Sequence, residues 1–413
     1  MLELLKNPAY LKLWCAQIIS ELGDGITFIV VMFLVSEQSS HPAVFSFILM
    51  AGYLPHLLLG VWAGPVIDRF SKKWIMVSSD LYRLLILLLM IPFHDSVVML
   101  VTLTFLQGIG TVFFEPARTA AIPTIIEEEQ IPKAVGLSQS TFTTMRVLAP
   151  SIGGALLLLD QVSWVFAIDS ATFLVSGILL MTIKMSGTVH KEGEEKDSYL
   201  ESLKGGLLEV KHNMFLKGIL TLMVVTAFVM SIVGATIFDV ILNVFEVQEL
   251  HFGMLESTEG VFGIIGALLI PYFMKKMKSN QLLLIVIGAT GVITIAIAPV
   301  YHVHQVIPFA PLYIWMAFVG LSSTCLNVPL NSFIMQVIPN DVLGRVSGLM
   351  NTLLNAGFLV GLTCGGGLAS LVGGIPTVIA GGSLLILVSL IFPFTSYYQA
   401  LHIEKDRQAF ASA

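Results

Sequence analysis

Four ionisable side chains, Glu21, Asp24, Arg146 and Asp169, stand inside long apolar runs of this sequence. A charge in such a place costs several kcal/mol if the run crosses a bilayer, so each residue must do something that repays its position. Glu21 and Asp24 lie in Ser20-Glu21-Leu22-Gly23-Asp24-Gly25. A separation of three puts them on nearby faces of one helix. Two close carboxylates repel, so at least one is expected to hold its proton near neutral pH. That is the chemistry of a site that takes up and releases a proton or binds a cation. The competing reading is a carboxylate that only hydrogen-bonds a neighbouring helix. Arg146 stays charged wherever it sits and needs an anion. Asp24, Glu21, Glu115 or an anionic ligand could each supply it. Asp169, in Phe166-Ala167-Ile168-Asp169-Ser170, is expected near the outer end of its run, where it would line a cavity. Asp239 and Glu259 are placed similarly, although a solvated position is the plainer reading for Asp239 and Glu256.

A second set of charges lies at the ends of runs. Gly64-Pro65-Val66-Ile67-Asp68-Arg69-Phe70-Ser71-Lys72-Lys73 joins the apolar stretches Ala43–Ile67 and Trp74–Phe93. It is too short for a domain and reads as a tight charged hairpin, with Gly64 open to a close helix approach. Asp80 and Arg83 are spaced as an ion pair on one helix, with Arg83 also in reach of Asp68. This group reads as gate structure rather than ligand contact.

The elements that hold these residues follow from composition. The chain has 413 residues, 56% of them hydrophobic and only 12% charged, against roughly 25% charged in soluble domains. This predicts an all-α polytopic membrane protein. Twelve spans are expected: Leu11–Val35, Ala43–Ile67, Trp74–Phe93, Val97–Phe114, Ser138–Leu159, Trp164–Ile183, Phe215–Asn243, Phe252–Met274, Leu282–Val300, Phe309–Phe333, Val346–Leu371 and Thr377–Phe394. The first is read as a retained helix, since no small-residue cleavage site follows it. A polar break, Lys184–Asn213, divides the chain into a first bundle (1–183), a linker (184–213) with an amphipathic piece at Tyr199–Val210, and a second bundle (214–413).

Taking the loops alternately, one side carries Lys6, Lys12, Arg69, Lys72, Lys73, Arg118, Lys133, Lys275, Lys276, Arg345 and Lys405, and the other side carries no Lys or Arg. The positive-inside rule then puts both termini and the linker in the cytoplasm. The second bundle repeats features of the first. Pro116-Ala117-Arg118 through Pro123 to Lys133 is echoed by Pro329-Leu330-Asn331 through Pro339 to Arg345, and Gly64 to Lys73 by Gly266 to Lys275. Two six-helix halves related by pseudo-symmetry are expected.

Other chemistries find no residues. No Gly-x-x-x-x-Gly-Lys loop, zinc-spaced histidine pair or Gly-x-Ser-x-Gly elbow occurs, so an enzyme, a metal and a cofactor are not expected. A net charge of −6 argues against nucleic acid. Cys15, Cys325 and Cys364 form neither a disulfide framework nor a metal site.

The pattern Gly64-x-x-x-Asp68-Arg69-x-x-Lys72, between the second and third spans, resembles the signature loop of the major facilitator superfamily. Ala149-Pro150-Ser151-Ile152-Gly153-Gly154 resembles the antiporter motif of its exporters, with alanine for the first glycine. Thr104-Phe105-Leu106-Gln107-Gly108 resembles a fourth-span motif in which an arginine would stand at Thr104. Leu22-Gly23-Asp24, Glu115-Pro116-Ala117-Arg118 and Ile168-Asp169-Ser170-Ala171 are similar to the branch containing macrolide-efflux and enterobactin-export permeases. The resemblance implies a monomeric carrier in a bacterial cytoplasmic membrane that moves a small, drug-like amphiphile outward and draws on the proton gradient. It also implies that Asp68 meets the backbone near Gly344–Ser347, a favourable place for an anion at a helix N-terminus. A siderophore exporter or lysolipid translocase of the same fold is the alternative, and a non-transporting receptor a remote one.

Overall fold

The computed structural model of the chain describes residues 4–159, 161–185, 199–277, 279–337 and 340–398. Among them no strand occurs. The helices are α1 (Pro8–Gln38), α2 (Ala43–Arg69), α3 (Lys72–Phe93), α4 (Val97–Ala121), α5 (Ile131–Leu157), α6 (Val162–Met181), α7 (Tyr199–His212), α8 (Met214–Asp239), α9 (Glu249–Lys276), α10 (Ser279–Ile295), α11 (Ile297–His304), α12 (Ala310–Val337), α13 (Asn340–Val372) and α14 (Gly374–Ile391). Among the described residues ten stretches are long and apolar enough to cross a membrane, the short α11 completing the span begun by α10. The apolar part of α12 is shorter, and α5 is diluted by Lys133, Arg146 and a run of Ser, Thr and Gln. These two complete the twelve expected spans of a multi-pass membrane protein.

Local chemistry explains the helix ends. The Asn7 side chain accepts from the backbone N–H groups of Ala9 and Tyr10, with Pro8 in the first turn, and Asn213 does the same for Phe215 and Leu216. Such caps satisfy donors that the helix itself leaves open. The helix α8 runs into a π-helical turn at Val240–Val244. Gly373, at φ +91°, begins α14 in a conformation that side chains disfavour.

The helix α3 shows the inside-out logic of a membrane bundle. Leu81, Leu85, Leu88 and Leu89 are exposed, whereas Ser79, Asp80 and Arg83 are buried. A helix in water would turn the other way. In lipid the leucines face the solvent they prefer and the charges must meet one another.

The chain packs as two compact units, one of Met1–Glu194 with Ile241–Ser257, the other of Glu195–Val240 with Thr258–Ala413. In the first, α1 packs on α5 and α6, α2 on α4, and α3 on α4 and α6. In the second, α8 packs on α13 and α14, and α10 on α12 and α14. Gly266 of α9 lies against the Leu321 backbone, and Gly320 of α12 against that of Glu259. Span for span, the second unit repeats the pairings of the first, which is the internal symmetry the sequence repeats foreshadow.

Two expectations change at the charged hairpin. It is mostly helix: α2 continues to Arg69, so Gly64, Pro65 and Asp68 stand on its last turns, and only Phe70 and Ser71 form the connection. Pro65 is tolerated there, as prolines often are in membrane helices. Nor does a neighbouring helix come close at Gly64: among the described residues nothing approaches a side chain placed there. The amphipathic piece of the linker is α7, whereas residues 186–198 lie outside the described part.

Candidate functional site

The charged residues of the first unit gather into two groups. The first is centred on Arg83 of α3, which is 2% exposed. Its Nη2 donates to Asp80 Oδ1 at 2.6 Å, and its Nη1 to Asp24 Oδ2 of α1 at 3.2 Å. The guanidinium carbon lies 4.5 Å from the ring centre of Phe114 on α4 and 4.2 Å from that of Phe173 on α6. A guanidinium stacks well on such faces while its edge bonds carboxylates. Gly110 makes room for it: a Cβ there would fall 2.5 Å from Arg83 Cγ. Asp80 is wholly buried and also accepts from Ser176 Oγ at 2.6 Å.

Asp169 of α6 belongs to the same neighbourhood, within electrostatic reach of Asp24 and Arg83. It accepts from the Thr27 hydroxyl at 2.5 Å and the Thr172 hydroxyl at 3.0 Å. It has no exposed surface, so it does not line a cavity as expected. The helices α1 and α6 press together at Gly23, where no larger residue would fit beside the Asp169 carboxylate. Asp24 differs from its partners. It lies deep among the helices, yet 38% of its side chain is accessible. Its carboxylate is therefore reachable, with Gln107 of α4 beside it. Two carboxylates thus share one guanidinium, with a third, Asp169, in the same neighbourhood. Full ionisation would leave excess negative charge in a desolvated place, which is costly.

The second group lies one turn along α1. Gln17 Nε2 donates to Glu21 Oε1 at 2.7 Å, and Ser138 Oγ of α5 donates to Gln17 Oε1 at 2.9 Å. Arg118 of α4 completes the series, donating to Ser138 Oγ at 2.6 Å and to Glu115 Oε2 at 2.7 Å. Glu21 Oε2 is buried and without a hydrogen-bond partner among the described residues. The sequence alone does not single out Gln17, Ser138, Thr27, Ser176, Phe114, Phe173 or the bridging role of Arg118. Their one visible signal is that Gln17, Thr27 and Ser176 are polar residues within otherwise apolar runs.

The geometry separates Arg146 from the acids expected to meet it. It is exposed on α5, and among the described residues no acid pairs with it. The buried arginine that meets Asp24 is Arg83. Nor does Arg83 bond Asp68, which is exposed at the end of α2; Asp24 takes that place. Asp239, read as solvated, is 3% exposed. Of the loop cations, Lys73 donates to the carbonyl oxygens of Met181 and Ile183 at 2.5 and 2.8 Å, where the C-terminal end of α6 favours a cation. Arg69 is exposed and Lys72 half-buried. The expected approach of Asp68 to the backbone near Gly344–Ser347 falls in part on positions 344 and 345, whose side chains lie outside the described ones.

Pro150 and Gly153 of the antiporter-like segment are buried. Gly153 rests on Ile26 and Ile29 of α1. Gly154 meets the backbone of Glu249 and Gly253, which packs as part of the first unit. Next to it Ser151 donates to Ser257 Oγ at 2.6 Å. An open cleft of about 270 Å³, lined by Phe33, Glu37, Glu246 and Glu249 among others, contains none of the Arg83 group.

Comparison with known proteins gives a consistent answer. The family model of the Major Facilitator Superfamily matches residues 13–362. Macrolide efflux protein A of Streptococcus pyogenes is 22% identical over 403 residues, covering 96% of this chain and 98% of its own length. The multidrug efflux pump Tap of Mycolicibacterium fortuitum is 24% identical, covering 94% and 96%. Among solved structures, the nucleoside transporter NupG superposes with a TM-score of 0.68 at 14% identity, covering 96% of this chain and 99% of its own. A bacterial homologue of the iron transporter ferroportin, in an inward-facing state, reaches 0.70 at 15% identity, covering 94% and 99%.

Proposed function

Because this chain belongs to the Major Facilitator Superfamily, a family of membrane transporters and not of enzymes, we propose that it exports small amphiphilic molecules by proton-coupled antiport. It sits in a bacterial cytoplasmic membrane with both termini inside. Its two halves expose a midplane site first to the cytoplasm and then to the exterior. Asp24 takes up the driving proton, and Asp68, Arg69 and Lys72 form the cytoplasmic gate. The observation that carries this reading is the Asp24 carboxylate: accessible, 3.2 Å from a buried guanidinium, and surrounded by more carboxylates than that one cation can neutralise. Such a group can change its charge without a large rearrangement, which is what coupling to protons requires. Transport in the direction of export is supported by the likeness to macrolide and multidrug efflux proteins.

The reading is tested by expressing the chain in a bacterial strain stripped of its own pumps. Export of a macrolide, a catecholate siderophore and a fluorescent lysolipid is then followed side by side. Raised macrolide resistance with lowered cell-associated macrolide supports the drug-export reading. Export of the siderophore or lysolipid alone moves the assignment to the alternative substrate class, and no export of any probe overturns it.

A further inference from the structure

The Arg83 group contains an asymmetry between its two carboxylate partners. Asp80 is wholly buried, lies 2.6 Å from the guanidinium and accepts a second hydrogen bond from Ser176. Asp24 is reached at 3.2 Å and keeps 38% of its side chain accessible. Phe114 and Phe173 hold the guanidinium from α4 and α6. Arg83 is therefore fixed from three directions independently of Asp24. Asp80, Ser176, Phe114 and Phe173 make a socket, and Asp24 is the one partner that can leave.

We propose that Arg83 is a positioning residue for the proton exchange at Asp24, a stationary cation whose socket keeps it beside the Asp24 carboxylate whether or not that carboxylate carries a proton. The socket spans α3, α4 and α6, so the charge stays put while Asp24, on α1, changes state. Other groups within electrostatic reach of Asp24 are Glu115 and Glu21, with Arg118 acting on Glu21; Asp169 presses on it from α6. Arg118 already serves Glu115 and Ser138, and Asp169 is held by two threonine hydroxyls. Before Arg118, α4 carries no Lys or Arg that could take over the task. Arg83 remains the cation that touches Asp24 directly. This inference rests on the reading of Asp24 as the proton site and adds the residue that sets its behaviour.

The test uses infrared difference spectroscopy on the purified full-length chain, titrated with pH. The protonated-carboxyl band of Asp24 is identified by its loss in Asp24→Asn. Arg83→Gln combined with Asp80→Asn removes the fixed ion pair as a neutral unit and leaves Asp24 intact. Removing a contacting cation moves a carboxylate midpoint by about one to three pH units. The double variant also removes the Asp80 anion, whose loss offsets part of this effect, so its Asp24 midpoint should rise by about half a unit or more, while Arg83→Lys, which keeps the charge, stays within half of that shift. Phe173→Leu takes away one face of the socket without touching any charge. It decides the question if the double variant does not survive purification, and its midpoint should also move. Unmoved midpoints in the surviving variants overturn the proposal. If no band is lost in Asp24→Asn, the proton-site reading itself fails, and this inference fails with it.

Discussion

Gly23 of α1 and Asp169 of α6 occupy space that a single added methyl group would deny: a Cβ at position 23 would lie 1.9 Å from Asp169 Oδ1 and 2.5 Å from Thr172 Oγ1. The glycine thus lets an acid of one helix lie against the backbone of another, immediately beside Asp24. Gly23→Ala is expected to push α1 and α6 apart and to cost about 3 kcal/mol, the upper part of the range for overpacking a filled interior. Thermal unfolding in detergent measures this. A midpoint equal to that of the parent would show that the two helices do not meet as described.

Asp169 itself is expected to be needed for its shape and hydrogen bonds. Asp169→Asn keeps the size and an acceptor for Thr27, and should leave thermal stability near that of the parent. Asp169→Leu strands the buried Thr27 hydroxyl and should cost about 1–3 kcal/mol. The contrast between the two variants, read in the same unfolding assay, isolates the hydrogen bonds from the volume.

The Arg118 bridge gives an asymmetric prediction. Its side chain is 10% exposed, whereas that of Glu115 is 43% exposed. Arg118→Gln breaks the links to Ser138 and Glu115 together and should destabilise by about 1–2 kcal/mol. Glu115→Gln removes only a partly screened partner and should cost less than about 1 kcal/mol. Equal losses in chemical or thermal unfolding would mean that the bridge to α5 through Ser138 contributes nothing.

Lys73 ties the start of α3 to the last carbonyl groups of α6. Lys73→Met keeps the aliphatic stem but not the charge. It should cost about 0.5–1 kcal/mol, and the loss should shrink as salt is raised. Unfolding of the variant at low and high ionic strength checks both parts.

Much of the architecture is legible in the sequence because the bilayer imposes one length and one polarity on each span. The helix α5 is the weakest such signal, since Arg146, Lys133 and its hydroxyl residues dilute it. The Asp80–Arg83 pair can be read from spacing alone, because residues three apart on a helix must be neighbours. The Asp24–Arg83 contact cannot. It depends on how α1 and α3 are rotated about their own axes, and an apolar helix in lipid carries little periodicity to fix that rotation. For the same reason the sequence leaves open which arginine meets Asp24, and points Asp169 at a cavity although it is sealed. The Ser138–Gln17–Glu21 link joins residues more than a hundred positions apart, which no local pattern anticipates.

The proposed proton-coupled export requires above all that Asp24 change its charge during transport. The direct measurement is macrolide efflux from proteoliposomes under an imposed pH step, comparing the parent chain with Asp24→Asn. The variant should fold, still exchange labelled for unlabelled macrolide at equal concentrations, and no longer move it uphill when protons are supplied. Uphill efflux at the parent rate in Asp24→Asn would contradict the assignment of Asp24 as the proton site.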